Sequence, residues 1–465
     1  MSNRQSEIGV LGLGVMGAAL TLNLADQSFR IAVYNRDSGR EIGTVSNFLA
    51  GNASQTNILG FTDLKDFVSN LERPRKIIVM ISASAVDAVL ADLLPLLDAD
   101  DIILDAGNSH FKETETRQAL CSKSKIEFIG CGVSGGERGA RFGPSIIPGG
   151  SPIAFSAVEP YLKSIAAKDK NGSPCMSYVG KGSAGHFVKM VHNGIEYVEM
   201  QLLAELYQLL RGSWSNERIS ELLESWNGGE LHSYLLEITS NILIKKEGDS
   251  YLLDQILDKA GNKGTGSWSS ISALELGSDN SMMSAAVFAR YLSSQKETRV
   301  RLNLPNREKS DSEIEIPSLK NAYDAARRLN HLQGFELIRL ASNEFSWDIN
   351  FSELARIWTN GCIIRSALME EVSERFKTAP SLLEDKEYIS ELGDLENALS
   401  ESVQDFVQHR IASPAFSSSW NYWIGLTTAN GSANLIQAQR DYFGAHTYQR
   451  VDDPNGAAHH TNWEE

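Results

Sequence analysis

The chain has 465 residues, enough for two sizeable cores, and its 42% hydrophobic and 22% charged residues are typical of an ordinary soluble globular protein. A formal net charge of −16 argues against nucleic acid as a partner and gives no broad attraction for anions. Its four cysteines lack the spacing of a metal site and indicate a reducing compartment. No apolar run approaches the ~20 residues of a membrane span, so we expect a cytoplasmic protein without a metal or a membrane partner.

The N-terminal residues carry a pattern typical of dinucleotide binding. A short apolar stretch at residues 8–11 reads as a strand, and Gly12, Gly14 and Gly17 follow it where a helix opens. In that context the first glycine allows a tight turn, the second lets the backbone approach a pyrophosphate, and the third lets helix and strand pack closely. The pyrophosphate would lie at the helix N-terminus, and the predicted cofactor contacts are Gly12, Leu13, Gly14, Val15, Met16 and Gly17.

The end of the next predicted strand bears on the choice of cofactor. Asn35 and Arg36 follow the apolar residues 31–34, and a cation there suits the 2′-phosphate of NADP. Asp37 lies close to the position where an NAD enzyme places a carboxylate for the ribose. We therefore predict that Asn35 and Arg36 bind NADP, while NAD stays open as the alternative.

Apolar runs at residues 76–81, 102–105 and 126–130 alternate with helical stretches, which predicts a doubly wound, mostly parallel sheet. Ligands bind such sheets at the carboxyl ends of the strands. Two Gly-containing loops lie there, one with Asn108 and one with Ser134, Gly135 and Gly136. Their backbone N–H groups can bind hydroxyls or a carboxylate, although plain turns look similar.

One predicted helix, over residues 184–210, carries polar side chains that helical spacing places on one face. They are Lys189, His192, Asn193, Glu196 and Tyr197. An amine, an imidazole, an amide, a carboxylate and a phenol on one rigid element can supply a general base, a general acid and substrate hydrogen bonds. The solvated face of an amphipathic helix has the same spacing, so spacing alone leaves both interpretations open.

Helical periodicity dominates the second half of the chain, for example over residues 319–341 and 351–376. A Gly-rich turn there contains Lys263 and Thr265, and Arg290 lies in an otherwise apolar helix. A buried arginine needs an anionic partner, and both a neighbouring carboxylate and a bound phosphate qualify.

The last predicted element is a C-terminal segment rich in aromatic residues that also contains Arg440 and His446. Because chain ends are normally frayed, this composition indicates docking against this subunit or another. The predicted architecture is α/β plus all-α. It comprises a Rossmann-type domain over residues 1–178, a large helical domain over 179–435 and a tail over 436–465.

The motifs together closely resemble those of the decarboxylating 6-phosphogluconate dehydrogenases, nearly from end to end. They include GLGVMG, YNR, GVSGGERGARFGPSIIPGG, GHFVKMVHNGIEY, AGNKGTG, AVFAR and IQAQRDYFGAHTY. The resemblance implies oxidative decarboxylation of 6-phospho-D-gluconate to D-ribulose 5-phosphate with NADP, a reaction of the pentose phosphate pathway and of gluconate utilization. It also implies a homodimer whose tails reach the partner subunit.

The resemblance further implies a role for individual residues. Lys189 matches the general base of the family and Glu196 its general acid. The residues that match the sugar-acid binding set are Asn108, Ser134, Gly135, Gly136, His192 and Asn193, and Asn108 also matches a cofactor contact. Those that match the phosphate set are Tyr197, Lys263, Thr265 and Arg290, joined by Arg440 and His446 of the second subunit's tail.

The sequence departs from the family pattern mainly on the cofactor side. The turn Met80-Ile81-Ser82-Ala83 lacks the lysine that the family's Val-Lys-Ala-Gly turn places near the nicotinamide, and Ser267 stands where a second lysine often follows the Gly-Thr-Gly turn. Residues 358–361 read Trp-Thr-Asn-Gly instead of the usual Trp-Arg-Gly-Gly. Two rival interpretations therefore remain open. One is a related dehydrogenase of another hydroxy acid, and the other is a catalytically weak paralogue that binds sugar phosphate or nucleotide.

Overall fold

The computed structural model describes residues 5–261, 264–304 and 313–464. These residues form two compact units, residues 5–419 and residues 420–464. The strands are β1 Ile8–Leu11, β2 Ile31–Tyr34, β3 Ile58–Phe61, β4 Lys76–Val79, β5 Ile102–Asp105, β6 Glu127–Val133, β7 Ile146–Gly150, β8 Lys246–Glu247 and β9 Ser250–Tyr251. The helices are α1 Val15–Asp26, α2 Thr44–Gly51, α3 Leu64–Ser69, α4 Val86–Leu93, α5 Phe111–Ser122, α6 Gly136–Phe142, α7 Pro152–Ile165, α8 Ala184–Leu210, α9 Asn216–Asn227, α10 Tyr234–Ile244, α11 Leu252–Gln255, α12 Thr265–Leu276, α13 Ser281–Ser294, α14 Lys296–Arg301, α15 Ile316–Phe345, α16 Phe351–Ile357, α17 Ala367–Arg375, α18 Lys386–Asp394, α19 Glu396–Gln408, α20 Pro414–Thr427 and α21 Ala433–Gly444.

The N-terminal part contains a seven-stranded sheet with the order β3-β2-β1-β4-β5-β6-β7. All neighbouring strands are parallel except β6 and β7, which pair antiparallel with Ile129 opposite Gly150. The predicted doubly wound sheet is thus confirmed, and the antiparallel strand β7 is an addition that alternation of strands and helices did not indicate. The order reverses between β1 and β4, which is where such sheets bind nucleotides.

Helices cover both faces of this sheet, as its fully buried aliphatic strands require. On one face α1, α2 and α7 contribute buried side chains such as Leu24, Val45 and Leu162. On the other face α3, α4 and α5 contribute side chains such as Phe67 and Leu90. Burial of one such side chain stabilises the fold by roughly 1.5–3 kcal/mol, so the two cores hold the carboxyl ends of the strands in place.

Helix α8 begins directly against the end of the sheet because glycines allow its backbone to approach the strands. A Cβ at Gly185 would lie 2.5 Å from the Ile147 carbonyl oxygen and 2.7 Å from the Gly149 nitrogen. A Cβ at Gly132 would lie 2.6 Å from Cβ of Lys189. This close packing carries the first turns of α8 to the strand ends where a nucleotide would bind.

The rest of the first unit is helical, as predicted, apart from the short hairpin of β8 and β9, and packs around α8 and α15. Arg327 on α15 donates from Nε to the Glu199 carboxylate on α8 at 3.1 Å, and both side chains are buried. The prediction of one helix over residues 351–376 is wrong, because α16 and α17 are separated by a turn in which Gly361 adopts a φ of +71°. None of the helices in the described ranges is long and apolar enough to cross a membrane.

Residues 420–464 form a unit in which the chain end folds back on α21. The buried Asp441 carboxylate accepts hydrogen bonds from the Thr447 and Thr461 backbone nitrogens and from Trp463 Nε1, at 2.9 to 3.0 Å. Nδ1 of His460 also lies 2.9 Å from this carboxylate. The tail therefore has a defined local structure, in contrast to the frayed ends of most chains.

Candidate active site

The polar face of α8 is buried, which distinguishes it from a solvated helix face. Nζ of Lys189 donates to Oδ1 of Asn193 at 2.7 Å and lies 3.5 Å from Nδ1 of His192. Lys189, His192, Asn193 and Tyr197 are all less than one-tenth exposed. Burial of several polar groups on one helix is costly unless they are paired or functional, so this face is a candidate active site.

Burial also sets the protonation of the amine and the imidazole. It lowers the pKa of Lys189, whereas the nearby Glu196 carboxylate opposes that shift. Burial and the charge of Lys189 hold the pKa of His192 well below its ordinary value. A lysine with a lowered pKa beside a neutral imidazole is suited to accept a proton.

Glu196 lies one helical turn beyond His192, and its carboxylate is 3.9 Å from Nδ1 of that residue. Its side chain is 20% exposed, so solvent or a ligand can reach it. Desolvation raises the pKa of Glu196, while the charges of Lys189 and Arg290 act in the opposite direction. A carboxyl group whose pKa is raised can hold a proton and donate it, which is the complement of the lysine.

The loop after β6 meets this helix face. Oγ of Ser134 lies 3.2 Å from Nε2 of His192. Gly135 has a φ of +107°, and a Cβ there would lie 2.9 Å from Cα of Gly139 and closer still to the Gly361 carbonyl oxygen. Gly136 then begins α6, and no heavy atom of the described residues lies within 4 Å of its Cβ position. The Cβ position of Gly136 is therefore open, whereas that of Gly135 is blocked by neighbouring backbone, and ligand binding by this loop stays a prediction.

The loop after β5 lies on the other side of the lysine. Asn108 is exposed, and together with Ser109, Lys189, Asn193 and Trp268 it lines a small cleft. The structure thus brings together side chains from the loop after β5, from α8 and from α12 that lie far apart in the sequence. Lys189 and Asn108 line the same narrow cleft.

Arg290 on α13 lies over the ring of Tyr197, with its guanidinium carbon 3.4 Å from the ring centroid. It donates to the Gly261 carbonyl oxygen at 3.2 Å. Within the described ranges no carboxylate lies within 4 Å of this guanidinium, and burial lowers its pKa. The charge of Glu196 acts on this half-buried cation from beyond ion-pair distance, and a bound phosphate stays a predicted partner.

Not all of the remaining residues that are predicted to bind the phosphate lie within the described ranges. Lys263 lies outside the described residues, and Thr265 is described only as the first residue of α12. Arg440 and His446 belong to the unit of residues 420–464, where Arg440 is exposed and donates to Gln437 at 3.1 Å. The imidazole of His446 lies edge-on to the Phe443 ring.

The glycine turn matches the geometry of a pyrophosphate site. Gly12 has a φ of +102°, and a Cβ there would lie 2.5 Å from the Met80 carbonyl oxygen. At Gly14 no described heavy atom lies within 4 Å of the Cβ position, so the backbone is open in front of α1. Val15 and Met16 begin α1, and Leu13 N donates to Oδ1 of Asn35 at 3.0 Å. The first turn of α1 therefore offers free N–H groups to an anion.

The predicted 2′-phosphate residues have partners of their own. Nη2 of the exposed Arg36 pairs with the Glu41 carboxylate at 2.6 Å, and Nδ2 of Asn35 donates to the same carboxylate at 2.8 Å. The Asp37 carboxylate accepts from the Gly43 nitrogen at 2.7 Å. Sequence reasoning missed Glu41, although a carboxylate five positions after the arginine was visible in the sequence.

Two further residues escaped the sequence analysis as site components. The Trp358 indole packs edge-on against His192 with ring centroids 5.4 Å apart, and it is fully buried. Asp105 is fully buried at the end of β5 and accepts hydrogen bonds from the Asn108 loop.

At the departures from the family pattern, Ser82 is near Ser84 on the surface, and Oγ of Ser267 lies 2.6 Å from the Tyr291 hydroxyl.

Comparisons with known proteins identify the family of the chain. Residues 7–180 match the NAD binding domain of 6-phosphogluconate dehydrogenase, and residues 185–463 match the 6-phosphogluconate dehydrogenase C-terminal domain. The decarboxylating 6-phosphogluconate dehydrogenase of Aggregatibacter actinomycetemcomitans is 44% identical over 473 residues, covering 99% of this chain and 96% of the relative. That of Escherichia coli is 42% identical over 471 residues, covering 99% of both.

A solved structure is similar over the same extent. The Plasmodium falciparum 6-phosphogluconate dehydrogenase, whose structure was determined in its apo form, with its cofactor NADP+ and with its substrate 6-phosphogluconate, is 38% identical. It superimposes with a TM-score of 0.92 over 98% of this chain and 100% of that chain. From both family models and from these full-length relatives, the chain belongs to the 6-phosphogluconate dehydrogenase family.

Proposed function

We propose that this chain oxidises and decarboxylates 6-phospho-D-gluconate to D-ribulose 5-phosphate and carbon dioxide, with NADP as the hydride acceptor. The observation that carries the proposal is the buried Lys189, which lines a cleft together with Asn108 and whose pKa is lowered by burial. The name of the matching family and of its full-length relatives supports the same reaction.

The residues around the glycine turn fit a dinucleotide. The open backbone at Gly14 and the N-terminus of α1 would hold its pyrophosphate, and Asn35 and Arg36 its adenosine end. When bound, NADP accepts the hydride that leaves C3 of the sugar acid. Asn108 lies in the loop after β5, at the carboxyl edge of the sheet, where it would contact both the cofactor and the substrate.

Lys189 would act as the general base. Its neutral amine takes the proton of the C3 hydroxyl as the C3 hydride leaves, which produces a 3-keto acid and a charged lysine. Asn193 and His192 hold the amine at 2.7 Å and 3.5 Å, so its direction is set before substrate binds. The 3-keto acid is a β-keto acid, and its C1–C2 bond breaks with loss of carbon dioxide while the charged Lys189 donates to the C3 carbonyl oxygen.

Glu196 would complete the reaction. Loss of carbon dioxide leaves an enediol. Glu196 would protonate its terminal carbon while Lys189 takes back the proton of the adjacent hydroxyl, which gives ribulose 5-phosphate. The raised pKa of Glu196 allows it to hold the proton that it donates. Ser134, Gly135, Gly136 and His192 would hold the sugar-acid end, which is supported by the contact of Ser134 Oγ with Nε2 of His192 at 3.2 Å.

Tyr197 and Arg290 would bind the substrate phosphate, together with Lys263 and Thr265. The support is the half-buried Arg290 guanidinium, which stacks on the Tyr197 ring and has no described carboxylate partner. Arg offers bidentate hydrogen bonds to a phosphate. On an acidic chain such a local cation is needed to attract an anionic substrate.

The proposal includes a cytoplasmic homodimer in which Arg440 and His446 of each tail reach the partner subunit's site. In the tail unit the apolar side chains of Leu435 and Phe443 are 61% and 73% exposed, which suits contact with another surface. The proposed division at residue 178 is supported by the gap between α7 and α8, where the two family matches also meet. The proposed boundary at residue 435 lies inside α21, and the compact units divide instead between residues 419 and 420.

A second candidate is a catalytically weak paralogue that binds sugar phosphate or nucleotide. The altered turn at Ile81 and Ser82 after β4 favours it, because this turn lacks the lysine that the resemblance implies there. An anaerobic assay with 6-phosphogluconate and either NADP or NAD distinguishes the two. Equal yields of reduced nicotinamide and carbon dioxide, with NADP preferred, are expected. Reduction without carbon dioxide would indicate another hydroxy-acid reaction, and binding without either product would support the paralogue.

A further inference from the structure

Arg117 on α5 is buried, with only 2% of its side chain exposed, and does not line the cleft. Its Nε donates to the Asp87 carboxylate at 2.7 Å, its Nη1 to Oγ of Ser109 at 3.1 Å and its Nη2 to the Ala83 carbonyl oxygen at 3.3 Å. Nη2 also donates to the Glu113 carboxylate at 3.1 Å. One guanidinium therefore links α5 to the segments that follow both β4 and β5.

The first of these segments is the loop after β5. Its shape depends on Asp105, whose buried carboxylate accepts from the Gly107 nitrogen at 3.1 Å and from Oγ of Ser109 at 2.6 Å. Nη1 of Arg117 lies 3.5 Å from the same carboxylate. The Asp105 carboxylate and the Arg117 guanidinium thus hold the conformation of the loop that contains Asn108.

The second segment is the turn after β4. It lies between the glycine turn and the loop after β5, because a Cβ at Gly12 would lie 2.7 Å from Cγ2 of Ile81 and a Cβ at Gly107 would lie 2.9 Å from the Ile81 carbonyl oxygen. A displacement of this turn would therefore move both neighbours. Behind Ile81, Arg117 binds the Ala83 carbonyl oxygen and the Asp87 carboxylate.

We infer that Arg117 is a positioning residue that holds the turn after β4 and the loop after β5 in register, so that cofactor and substrate meet in the correct geometry. The inference rests on the proposed function and adds a residue to it. A guanidinium presents its donors in a fixed planar fork, so it can bind four groups on three segments at once. A lysine at this position would keep the charge but could not donate hydrogen bonds to all four of these groups.

The matched control is Arg75, at the opposite end of the same sheet. It precedes β4, its side chain is 9% exposed, and it also joins two carboxylates and a carbonyl, namely Asp98, Asp101 and Val68. Both arginines are buried ion-paired residues of the same domain, but only Arg117 lies at the carboxyl ends of the strands. Arg75→Lys therefore measures the loss of stability when a buried guanidinium and its hydrogen bonds are replaced at a position away from the site.

The test compares Arg117→Lys, Arg75→Lys and the parent protein for melting temperature, NADPH affinity by fluorescence titration, and KM and kcat. Arg117→Lys is expected to weaken NADPH binding and to lower kcat/KM by about tenfold or more, because small displacements of reacting groups are costly. Arg75→Lys is expected to lower the melting temperature with unchanged KM and kcat. Equal kinetic constants and NADPH affinities in the two variants would overturn the inference.

A milder variant covers the case in which Arg117→Lys does not fold. Asp87 is 72% exposed and contacts Arg117 only through Nε, so Asp87→Asn weakens one arm of the network in a protein that should fold. A weaker NADPH affinity at an unchanged melting temperature would support the inference, and an unchanged affinity would overturn it. NADPH titration needs no turnover, so a parent protein that binds NADPH but converts no 6-phosphogluconate would contradict the proposed function alone.

Discussion

Nζ of Lys189 lies 2.7 Å from Oδ1 of Asn193, one helical turn further along α8, and both side chains are buried. The amide accepts a hydrogen bond from the amine, and no carboxylate of the described residues lies within 4 Å of that amine to stabilise its charged form. Burial consequently lowers the pKa of Lys189. The pair shows how a helix can hold a lysine ready to accept a proton without neutralising it through an ion pair.

We expect Lys189→Ala to lower kcat by a factor of ~100 or more, because the general base is lost. Lys189→Arg should be equally impaired, since a guanidinium keeps its proton and cannot act as a base. Steady-state kinetics with saturating NADP and 6-phosphogluconate test both variants. The control is Lys163→Ala, which removes an exposed lysine paired with Glu159 on α7 and should leave kcat unchanged. Near-normal turnover of Lys189→Ala would exclude the lysine as base.

The pH dependence should report the second proton-transfer group. Activity is expected to rise with pH as Lys189 becomes neutral and to fall as Glu196, whose pKa is raised by burial, loses its proton. In Glu196→Gln the alkaline decline should disappear, and kcat should drop by a factor of ~100. Profiles of kcat/KM against pH provide the measurement, and Glu196→Asp should retain the decline. A decline that persists in Glu196→Gln would assign it to another group.

Arg290→Met should raise the KM for 6-phosphogluconate by about 10- to 100-fold, because a hydrogen-bonded charge is removed from the phosphate. Turnover of gluconate, which has no phosphate, should not change. Arg218 is a matched control, because its guanidinium also stacks on an aromatic ring, 3.7 Å from the centroid of Trp214, but this arginine is exposed on α9. If Arg218→Met and Arg290→Met have the same KM, Arg290 does not bind the phosphate.

Glu205 predicts a pH-dependent stability. Its buried carboxylate accepts from the Ala415 and Phe416 nitrogens at the start of α20, at 2.9 and 3.1 Å, and burial raises its pKa to about 7 from 4.5. Between these values the folded state binds more protons than the unfolded state, so the free energy of unfolding falls as pH rises from 4.5 to 7. This loss in the free energy of unfolding is on the order of 3 kcal/mol and is complete above the folded-state pKa of Glu205.

Glu205→Gln keeps an oxygen acceptor but cannot ionise. We therefore expect its free energy of unfolding not to show this fall with rising pH, and we expect the variant to be more stable than the parent protein above the folded pKa of Glu205. Urea unfolding at acidic and mildly alkaline pH measures the difference. The exposed Glu221 on α9 provides the control Glu221→Gln, which should follow the parent protein. Parallel pH profiles for Glu205→Gln and the parent protein would contradict the prediction.

Glu41 should affect the choice between NADP and NAD. Because its carboxylate pairs with Arg36, a bound 2′-phosphate would face a negative charge that competes for the same guanidinium. Glu41→Gln is expected to lower the KM for NADP by a factor of about three, with no change for NAD, as for an exposed ion pair. Glu7→Gln, which removes a partner of Arg30 before β2, is the control. A higher KM for NADP would mean that Glu41 orients Arg36 for the phosphate.

Much of the fold followed from the sequence, because its signals are local. The strand, glycine turn and helix at Ile8–Asp26 are contiguous, and the predicted helix over residues 184–210 is α8 itself. The polar face of α8 was also readable, since residues three and four positions apart share a face. The antiparallel strand β7 and the break at Gly361 were not, because pairing partners and tertiary contacts override local periodicity.

The sequence by itself determined which polar groups occur on one helix face and that a dinucleotide turn opens the chain. Only the tertiary structure decided that this face is buried, that Ser134 meets His192 across 58 positions, and that the Arg290 guanidinium has a ring but no described carboxylate beside it. Only the tertiary structure also revealed the hydrogen bonds of Arg117 and the ion pair of Glu41 with Arg36. The physical reason is that pKa shifts and hydrogen bonds depend on desolvation by distant segments, which spacing along one segment does not specify.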